Sequence, residues 1–154
     1  MIARDIMDTR FHTLRPGDLI ADAVRLFHKA SKAEGKKIFG LMVTDEKDRL
    51  VGLLSMYDIL LFVQPKHAQI WGEMDDLNPE RLFDDLLERI KTIQVRDIMT
   101  TDVFTTRPDT HLLVLADLMI KKHIRRLPVV EGREIVGIIY ISDLFYHLLK
   151  RFLA

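Results

Sequence analysis

The chain has 154 residues, of which 48% are apolar and 30% are charged, and its 23 lysines and arginines balance its 23 aspartates and glutamates. A chain of this length buries enough surface to fold without disulfides or structural metals, and the absence of cysteine excludes thiol catalysis and thiolate metal sites. The zero net charge argues against a nucleic-acid-binding protein, because that class usually carries an excess of lysine and arginine.

The sequence also lacks the signals of membrane, secreted and metal-binding proteins. No stretch approaches the ~20 consecutive apolar residues that a membrane-spanning helix needs. The N-terminal residues lack the basic and then apolar order of a secretion signal. The six histidines form no pair at a spacing typical of metal ligands. We therefore expect a cytoplasmic protein that binds neither a membrane nor a metal ion.

The first half of the chain predicts a helix, two strands and a second helix. Apolar spacing and turn residues place these elements at 18–27, 40–44, 50–54 and 55–63. Asp18 is the predicted N-cap of the first helix, and Ser55 begins the second. The Lys-rich stretch 29–37 follows the first helix, and it indicates either a loop or an extension of that helix.

An amphipathic helix is predicted in the segment 64–94, which connects the two halves. Asn78 and Pro79 indicate a helix start, because asparagine caps helices and proline is favoured in the first turn. The apolar residues that follow share one helical face: Leu82, Phe83, Leu86, Leu87, Ile90 and Ile93. The second half then repeats the order of the first, with a helix over 112–119, strands at 127–130 and 135–140, and a closing helix from Ser142.

Short motifs also recur in the two halves. Arg-Asp-Ile-Met at 4–7 returns at 96–99, an offset of 92 residues given by 96 minus 4. The run from Val51 to Asp58 returns as Val136 to Asp143, an offset of 85 given by 136 minus 51. The first copy therefore carries 92 minus 85, or seven, extra residues, most of them in the Lys-rich stretch. Motifs that recur in a fixed order indicate an internal repeat.

Each helix–strand–strand–helix copy is too small to close its own core, so we predict that the two copies pack together. The predicted fold class is α/β, of the α+β type, with the copies related by a pseudo-two-fold axis and sharing one core. The predicted divisions are a first repeat at 1–63, a helical connector at 64–94 and a second repeat at 95–154.

The doubled motifs resemble those of tandem CBS-domain pairs, also called Bateman modules. The resemblance rests on the two Arg-Asp-Ile-Met motifs, on Ile124-Arg-Arg-Leu-Pro-Val-Val130 and on Gly52-Leu-Leu-Ser55-Met-Tyr-Asp58. It implies a stand-alone regulatory module that binds AMP, ADP or ATP in a cleft between the copies, with S-adenosylmethionine and NAD as other adenosine-containing candidates. It also implies a homodimer, a regulated partner protein of unknown identity and no catalysis.

Ser55 and Asp58 are the strongest predicted site residues. At a strand-to-helix junction, a serine hydroxyl and the unpaired N–H groups of the helix can meet a phosphate or ribose oxygen. A carboxylate only accepts hydrogen bonds, so Asp58 suits the two hydroxyl donors of a ribose. The alternative is that both residues only cap the helix, because Ser and Asp are common caps.

Arg125 and Arg126 stand where the resemblance implies phosphate-binding basic residues. Guanidinium groups suit this role because they donate two parallel hydrogen bonds to phosphate oxygens. The first copy has Phe39 and Gly40 at the corresponding positions, so the basic element is present once. We therefore predict one composite site that joins Asp58 to the two arginines, with a solvated surface pair as the alternative role of the arginines.

The remaining candidates are weaker. Lys122 is a possible addition to the basic element. The resemblance also implies that the segment 100–104 encloses the base, and Thr101 and Val103 are its candidate residues. Edge-strand packing is an equal alternative for Val103 and Phe104. In the second copy Tyr140 stands in place of the serine and Asp143 keeps the carboxylate, so a second nucleotide site is expected to be altered, weaker or absent.

A rival interpretation is a ligand-free dimerisation or protein-interaction scaffold, in which the connector helix docks a partner. The tyrosine in the second copy and the missing arginines of the first favour it. An enzyme is the least supported reading, because no set of acid, base and nucleophile can be assembled from the sequence.

Overall fold

The computed structural model describes residues 1–64 and 79–153. Within these residues the helices are α1 (Ala3–Ile6), α2 (Ile20–Glu34), α3 (Met56–Val63), α4 (Pro79–Thr92), α5 (Val95–Ile98), α6 (Leu112–Lys121) and α7 (Ile141–Leu149), followed by a 3-10 turn at Lys150–Phe152. The strands are β1 (Thr13–Leu14), β2 (Gly40–Thr44), β3 (Leu50–Ser55), β4 (Arg126–Glu131) and β5 (Glu134–Tyr140). The predicted cap at Asn78 lies outside the described residues.

Each copy builds a small sheet around one hairpin. In the first copy, β1 pairs parallel to β2, and β2 pairs antiparallel to β3. In the second copy, β4 pairs antiparallel to β5, and Thr106 forms a parallel bridge with Val129 at the position that β1 takes in the first copy. These hairpins, each joined to helices, confirm the predicted α+β fold.

Helix α2 is longer than the predicted 18–27 helix and absorbs part of the Lys-rich stretch. It ends at Glu34, and Gly35 follows in the left-handed conformation with a φ of 66°, which glycine adopts without a steric penalty. Ala30 is fully buried, so packing stabilises the added turns. The predicted cap is wrong, because the Asp18 carboxylate accepts the backbone N–H of Arg15 at 2.8 Å instead of a helix donor.

The described part of the connector forms the amphipathic helix that the apolar spacing predicts. Helix α4 packs against α2, and Ile90 contacts the core of the first copy. The Arg89 guanidinium lies 5.1 Å from the centre of the Phe62 ring. Phe83 and Leu87, on the same helix, remain exposed.

The two Arg-Asp-Ile-Met motifs are exchanged between the copies. They form α1 and α5, and each of these short helices packs in the core of the other copy. After α5, Thr100 and Leu53 of β3 exchange two backbone hydrogen bonds of 2.9 and 2.8 Å. After α1, Asp8 and Ile138 of β5 do the same at 2.8 and 3.0 Å. The matching contacts define the pseudo-two-fold relation of the copies.

Two glycines allow the exchanged segments to approach the strands closely. A Cβ atom added to Gly52 would lie 2.8 Å from Sδ of Met99 and 2.9 Å from the carbonyl oxygen of Thr100. A Cβ atom added to Gly137 would lie 2.7 Å from Sδ of Met7, in the same arrangement. The glycine in each copy's second hairpin strand therefore leaves the space that the methionine of the other copy's motif occupies.

The shared core consists of one apolar cluster in each copy and a third cluster between them. The first-copy cluster includes Val95 of α5, and the second-copy cluster includes Ala3 and Ile6 of α1. The third cluster joins Met42 of the first copy to Ile138 of the second. The third cluster thus spans the pseudo-two-fold axis and packs the two copies together.

Candidate functional site

A cleft of about 500 Å³ lies between the two copies, and we call it the Asp58 cleft. Four pieces of chain form it: the residue before β2, the junction of β3 and α3, the segment that follows α5, and the residues that lead into β4. Its lining includes these predicted site residues: Ser55, Asp58, Val103, Arg125 and Arg126. The structure therefore brings the predicted acid and both predicted arginines to one cavity.

The first turn of α3 fixes the position of the Asp58 carboxylate. Its Oδ2 accepts the backbone N–H of Ser55 at 2.9 Å, and the Ser55 hydroxyl accepts the backbone N–H of Asp58 at 3.1 Å. Both residues therefore cap the helix, as the alternative interpretation expected. The other carboxylate oxygen, Oδ1, lies 3.5 Å from the Thr100 hydroxyl on the cleft wall. Capping holds the carboxylate in place and leaves one oxygen for a ligand hydroxyl.

Arg126 crosses from the second copy to the first. Its guanidinium lies against Gly40, where an added Cβ would be 2.5 Å from Cζ, so the glycine makes room for the arginine. Burial lowers the pKa of Arg126, and Tyr140 and Asp58 partly oppose that shift. No described residue accepts a hydrogen bond from this guanidinium, and Arg125 beside it is exposed. A partly buried cation with unused donors suits an anionic ligand group.

The remaining predicted site residues, Thr101, Val103 and Lys122, differ in whether they line the Asp58 cleft. Thr100 and Val103 line the Asp58 cleft, whereas Thr101 lines a neighbouring cavity of about 420 Å³. Val103 lies outside the described strands, so it is not an edge-strand residue. Lys122 lies outside the cleft lining, and its ammonium is 5.3 Å from the centre of the Phe104 ring at the cleft wall.

The cleft lining also includes two further residues of the segment 100–104, Thr100 and Asp102, and two residues that were not predicted, Phe39 and His123. Thr100 faces Asp58 directly. The signal for Thr100 was its place immediately after the second Arg-Asp-Ile-Met motif, which puts it opposite β3.

The other predicted residues lie on the pseudo-symmetric side of the molecule. Asp143, at the start of α7, forms an ion pair with Lys36 at 3.3 Å. Tyr140 packs against the apolar cluster of the first copy and against the cluster between the two copies. Burial raises the pKa of the Tyr140 hydroxyl, and the nearby carboxylates of Glu34 and Asp8 add to the shift. Asp143 and Tyr140 therefore do not contribute to the Asp58 cleft.

Cavities at the hairpin turns are weaker candidates. One of about 620 Å³ is lined by loop residues around Arg15 and Arg49, and both cations are already paired, with Asp48 and Asp45 respectively. Backbone N–H groups of Lys47 and Arg49 lower the pKa of Asp45 as well. These charges stabilise the turn itself, so we assign the candidate site to the Asp58 cleft.

Neither a metal site nor a membrane-crossing helix is found in residues 1–64 and 79–153. No group of three or more His, Cys, Asp or Glu side chains there is placed to hold a metal ion. No helix in those ranges has the length and hydropathy that a membrane crossing requires.

The chain belongs to the CBS domain family, whose family model matches residues 3–64 and 95–150. Both matches contain the exchanged motif and the hairpin of one copy. The identification agrees with the resemblance that the doubled motifs indicated.

Relatives and solved structures place the chain among CBS-domain pairs. An uncharacterized protein of Methanocaldococcus jannaschii is 33% identical over 97% of this chain and 92% of its own length. The chloroplastic CBS domain-containing protein CBSX2 of Arabidopsis thaliana is 30% identical over 88% of this chain and 58% of its own length. A crystal structure of CBSX2 in complex with AMP has a TM-score of 0.72 and 27% identity, and covers 97% of each chain.

Proposed function

We propose that this protein binds an adenine nucleotide, AMP, ADP or ATP, in the Asp58 cleft and acts as a regulatory module without catalysing a reaction. The observation that carries the proposal is the meeting of Asp58 with Arg125 and Arg126 in one cavity between the copies. Oδ1 of Asp58, which faces the Thr100 hydroxyl across the cleft and makes no helix-capping bond, would accept hydrogen bonds from the ribose, and the arginines would bind phosphate oxygens.

The chemistry of the cleft wall supports a nucleotide. Phe39 and Phe104 supply aromatic surface for a base, and the lining carries two acids, Asp58 and Asp102, against the two arginines. Binding of AMP by the similar CBSX2 structure supports the same ligand class here. S-adenosylmethionine and NAD share the adenosine unit and remain candidates for the same cleft.

Regulation would act through helix α3. Tyr57 and Leu60 of α3 line the Asp58 cleft, and Leu61 on the same helix is 55% exposed. Phe145 and Tyr146 of α7 are also exposed, so each copy's closing helix presents apolar side chains. We propose that these helices pair two chains into a homodimer or contact the regulated protein, and that a bound nucleotide changes this assembly. Sedimentation velocity with and without AMP measures the change in the dimer.

A ligand-free interaction scaffold is the second candidate function. The exposed Phe83 and Leu87 on the connector helix favour it, because an amphipathic helix with an uncovered apolar face can dock a partner. Under this alternative no nucleotide binds to the Asp58 cleft.

A thermal-shift panel with AMP, ADP, ATP, S-adenosylmethionine and NAD distinguishes the two functions. A ligand at 100 times its Kd adds about 2.7 kcal/mol of stability, which for a chain of this size corresponds to roughly 5–11 °C in Tm. We expect a shift from at least one adenine nucleotide. A folded protein that shows no shift with any of the five compounds would support the scaffold.

Replacing Arg126 by methionine is expected to separate phosphate recognition from nucleoside recognition. The methionine keeps an apolar stem against Gly40 and removes the donors, so AMP affinity should fall by roughly 10–100-fold while adenosine affinity stays within about twofold. Isothermal titration calorimetry measures both. Arg133→Met, on an arginine outside the cleft lining, is the matched control and should leave AMP binding unchanged. Equal losses for AMP and adenosine would argue against phosphate contact by Arg126.

A further inference from the structure

Residues of the second copy correspond to those that form the Asp58 cleft. Asp143 corresponds to Asp58 at the offset of 85, and Asp8 corresponds to Thr100 at the offset of 92. Backbone hydrogen bonds hold Asp8 against Ile138 of β5, in the same way that they hold Thr100 against Leu53 of β3. We call this pseudo-symmetric position, defined by Asp8, Asp143 and Tyr140, the Asp143 cleft.

A lysine side chain from the first copy lies in the Asp143 cleft. The ammonium of Lys36 forms ion pairs with Asp8 and, at 3.3 Å, with Asp143. The same ammonium lies 4.4 Å from the centre of the Tyr140 ring, within the range of a cation–π contact. Burial opposes the charge of Lys36, but hydrogen bonding and the charges of the two acids outweigh it and raise its pKa.

The pseudo-equivalent lysine behaves differently. In the first copy Gly40 pairs with Ser55, and in the second copy Arg126 pairs with Tyr140, so Gly40 and Arg126 are equivalent positions. Lys36 lies four residues before Gly40, and Lys122 lies four residues before Arg126. Lys122 is exposed and its ammonium remains over the Phe104 ring, outside the lining of the Asp58 cleft.

The charges of the two clefts explain the difference between the lysines. In the Asp58 cleft the position of Asp8 is taken by a neutral threonine, and the Arg126 guanidinium already lies near the acid. In the Asp143 cleft two carboxylates contact the same lysine, and among residues 1–64 and 79–153 neither of them forms an ion pair with an arginine. The Asp143 carboxylate also makes no capping hydrogen bond to its helix among the described residues, in contrast to Asp58.

We infer that Lys36 is a built-in occupant of the Asp143 cleft, which closes this cleft to nucleotides and limits the chain to one nucleotide, in the Asp58 cleft. The ammonium engages the carboxylate that a ribose would need, and the Tyr140 ring takes the place of the small serine side chain. Asp143 and Tyr140 then serve to hold Lys36. The limit of one nucleotide rests on the proposed function, whereas the occupancy by Lys36 does not.

Selective amine labelling tests the occupancy without any nucleotide. The protein is treated briefly with an amine-acylating reagent, and mass spectrometry with fragmentation compares Lys36 with Lys122. We expect Lys36 to react about tenfold more slowly, the factor that corresponds to about 1.4 kcal/mol for releasing it from its ion pairs. Asp143→Asn should raise the labelling of Lys36 and leave that of Lys122 unchanged. Equal labelling of the two lysines in the wild type would overturn the inference.

Isothermal titration calorimetry with AMP tests the limit of one nucleotide. We expect a stoichiometry of one per chain, with an affinity that falls roughly 10–100-fold in Asp58→Ala and stays within about twofold of the wild type in Asp143→Asn. A stoichiometry of two, or a loss of binding in Asp143→Asn alone, would overturn the inference. Absence of binding in every protein, with Lys36 still protected from labelling, would contradict the proposed function and leave Lys36 as the occupant of the Asp143 cleft.

Discussion

Replacing Asp58 by alanine is expected to weaken AMP binding by roughly 10–100-fold, equivalent to about 1.4–2.8 kcal/mol. The substitution removes the carboxylate oxygen that faces Thr100 in the cleft, and with it the charge-assisted hydrogen bonds to a ribose. Isothermal titration calorimetry at fixed ionic strength measures the loss. Asp58→Asn keeps an acceptor without the charge, so its affinity should lie between those of the wild type and the alanine variant.

The matched control for this prediction is Asp97→Ala. Asp97 caps α5 by accepting the backbone N–H of Gln94 at 2.9 Å, as Asp58 does at Ser55, but it lies outside the cleft lining. Both alanine variants should lose about 1 kcal/mol of stability from the missing cap. Only Asp58→Ala should lose nucleotide affinity. Equal affinity in the two variants would reduce Asp58 to a capping residue and remove it from the site.

Replacing Gly52 by alanine is expected to destabilise the protein by about 1–3 kcal/mol, the usual cost of overpacking. The new methyl group would lie within 3 Å of both the Met99 sulfur and the carbonyl oxygen of Thr100. The methionine can move, whereas the carbonyl belongs to the backbone bridge with Leu53 and moves only if that bridge opens. Chemical denaturation monitored by circular dichroism measures the change in the free energy of unfolding.

Two further variants separate the causes of this destabilisation. Adding Met99→Ala to Gly52→Ala should recover only part of the loss, because the contact with the Thr100 carbonyl persists. Gly17→Ala is the control, since its added Cβ would meet only the end of the Arg96 side chain, at 3.1 Å, and that side chain can rotate away. If Gly52→Ala is as stable as Gly17→Ala, the fold does not require the close contact of Gly52 with Met99 and Thr100.

The repeated order of elements could be predicted from the sequence because helix and strand spacing is local. The seven extra residues also indicated an extended helix as one alternative, and α2 takes that form as far as Glu34. The exchange of α1 and α5 could not be predicted in the same way. The bridge between Leu53 and Thr100 joins positions far apart in the chain, and no periodic pattern reports such a pairing.

The candidate site shows the same division between local and distant information. The motifs indicated Asp58 and the two arginines, and the structure places all three at one cleft. The segment 100–104 was predicted only as a whole, and in the structure Thr100 lines the Asp58 cleft whereas Thr101 lines a neighbouring cavity. Neighbouring residues of an irregular segment point to different sides, which a motif alone does not resolve. Lys36 gave no signal, because its partners Asp8 and Asp143 come from the two ends of the chain.

Because the two motifs are exchanged, neither copy contains all the residues that fill its own core. A single copy cut from this chain would leave an open groove where the other copy's short helix packs, and a second molecule of the same fragment would fill it. Joining both copies in one chain turns that association into an intramolecular one at high effective concentration. Thr100 reaches Asp58 only through this exchange. A nucleotide bound beside Asp58 would therefore contact the interface that holds the two copies together.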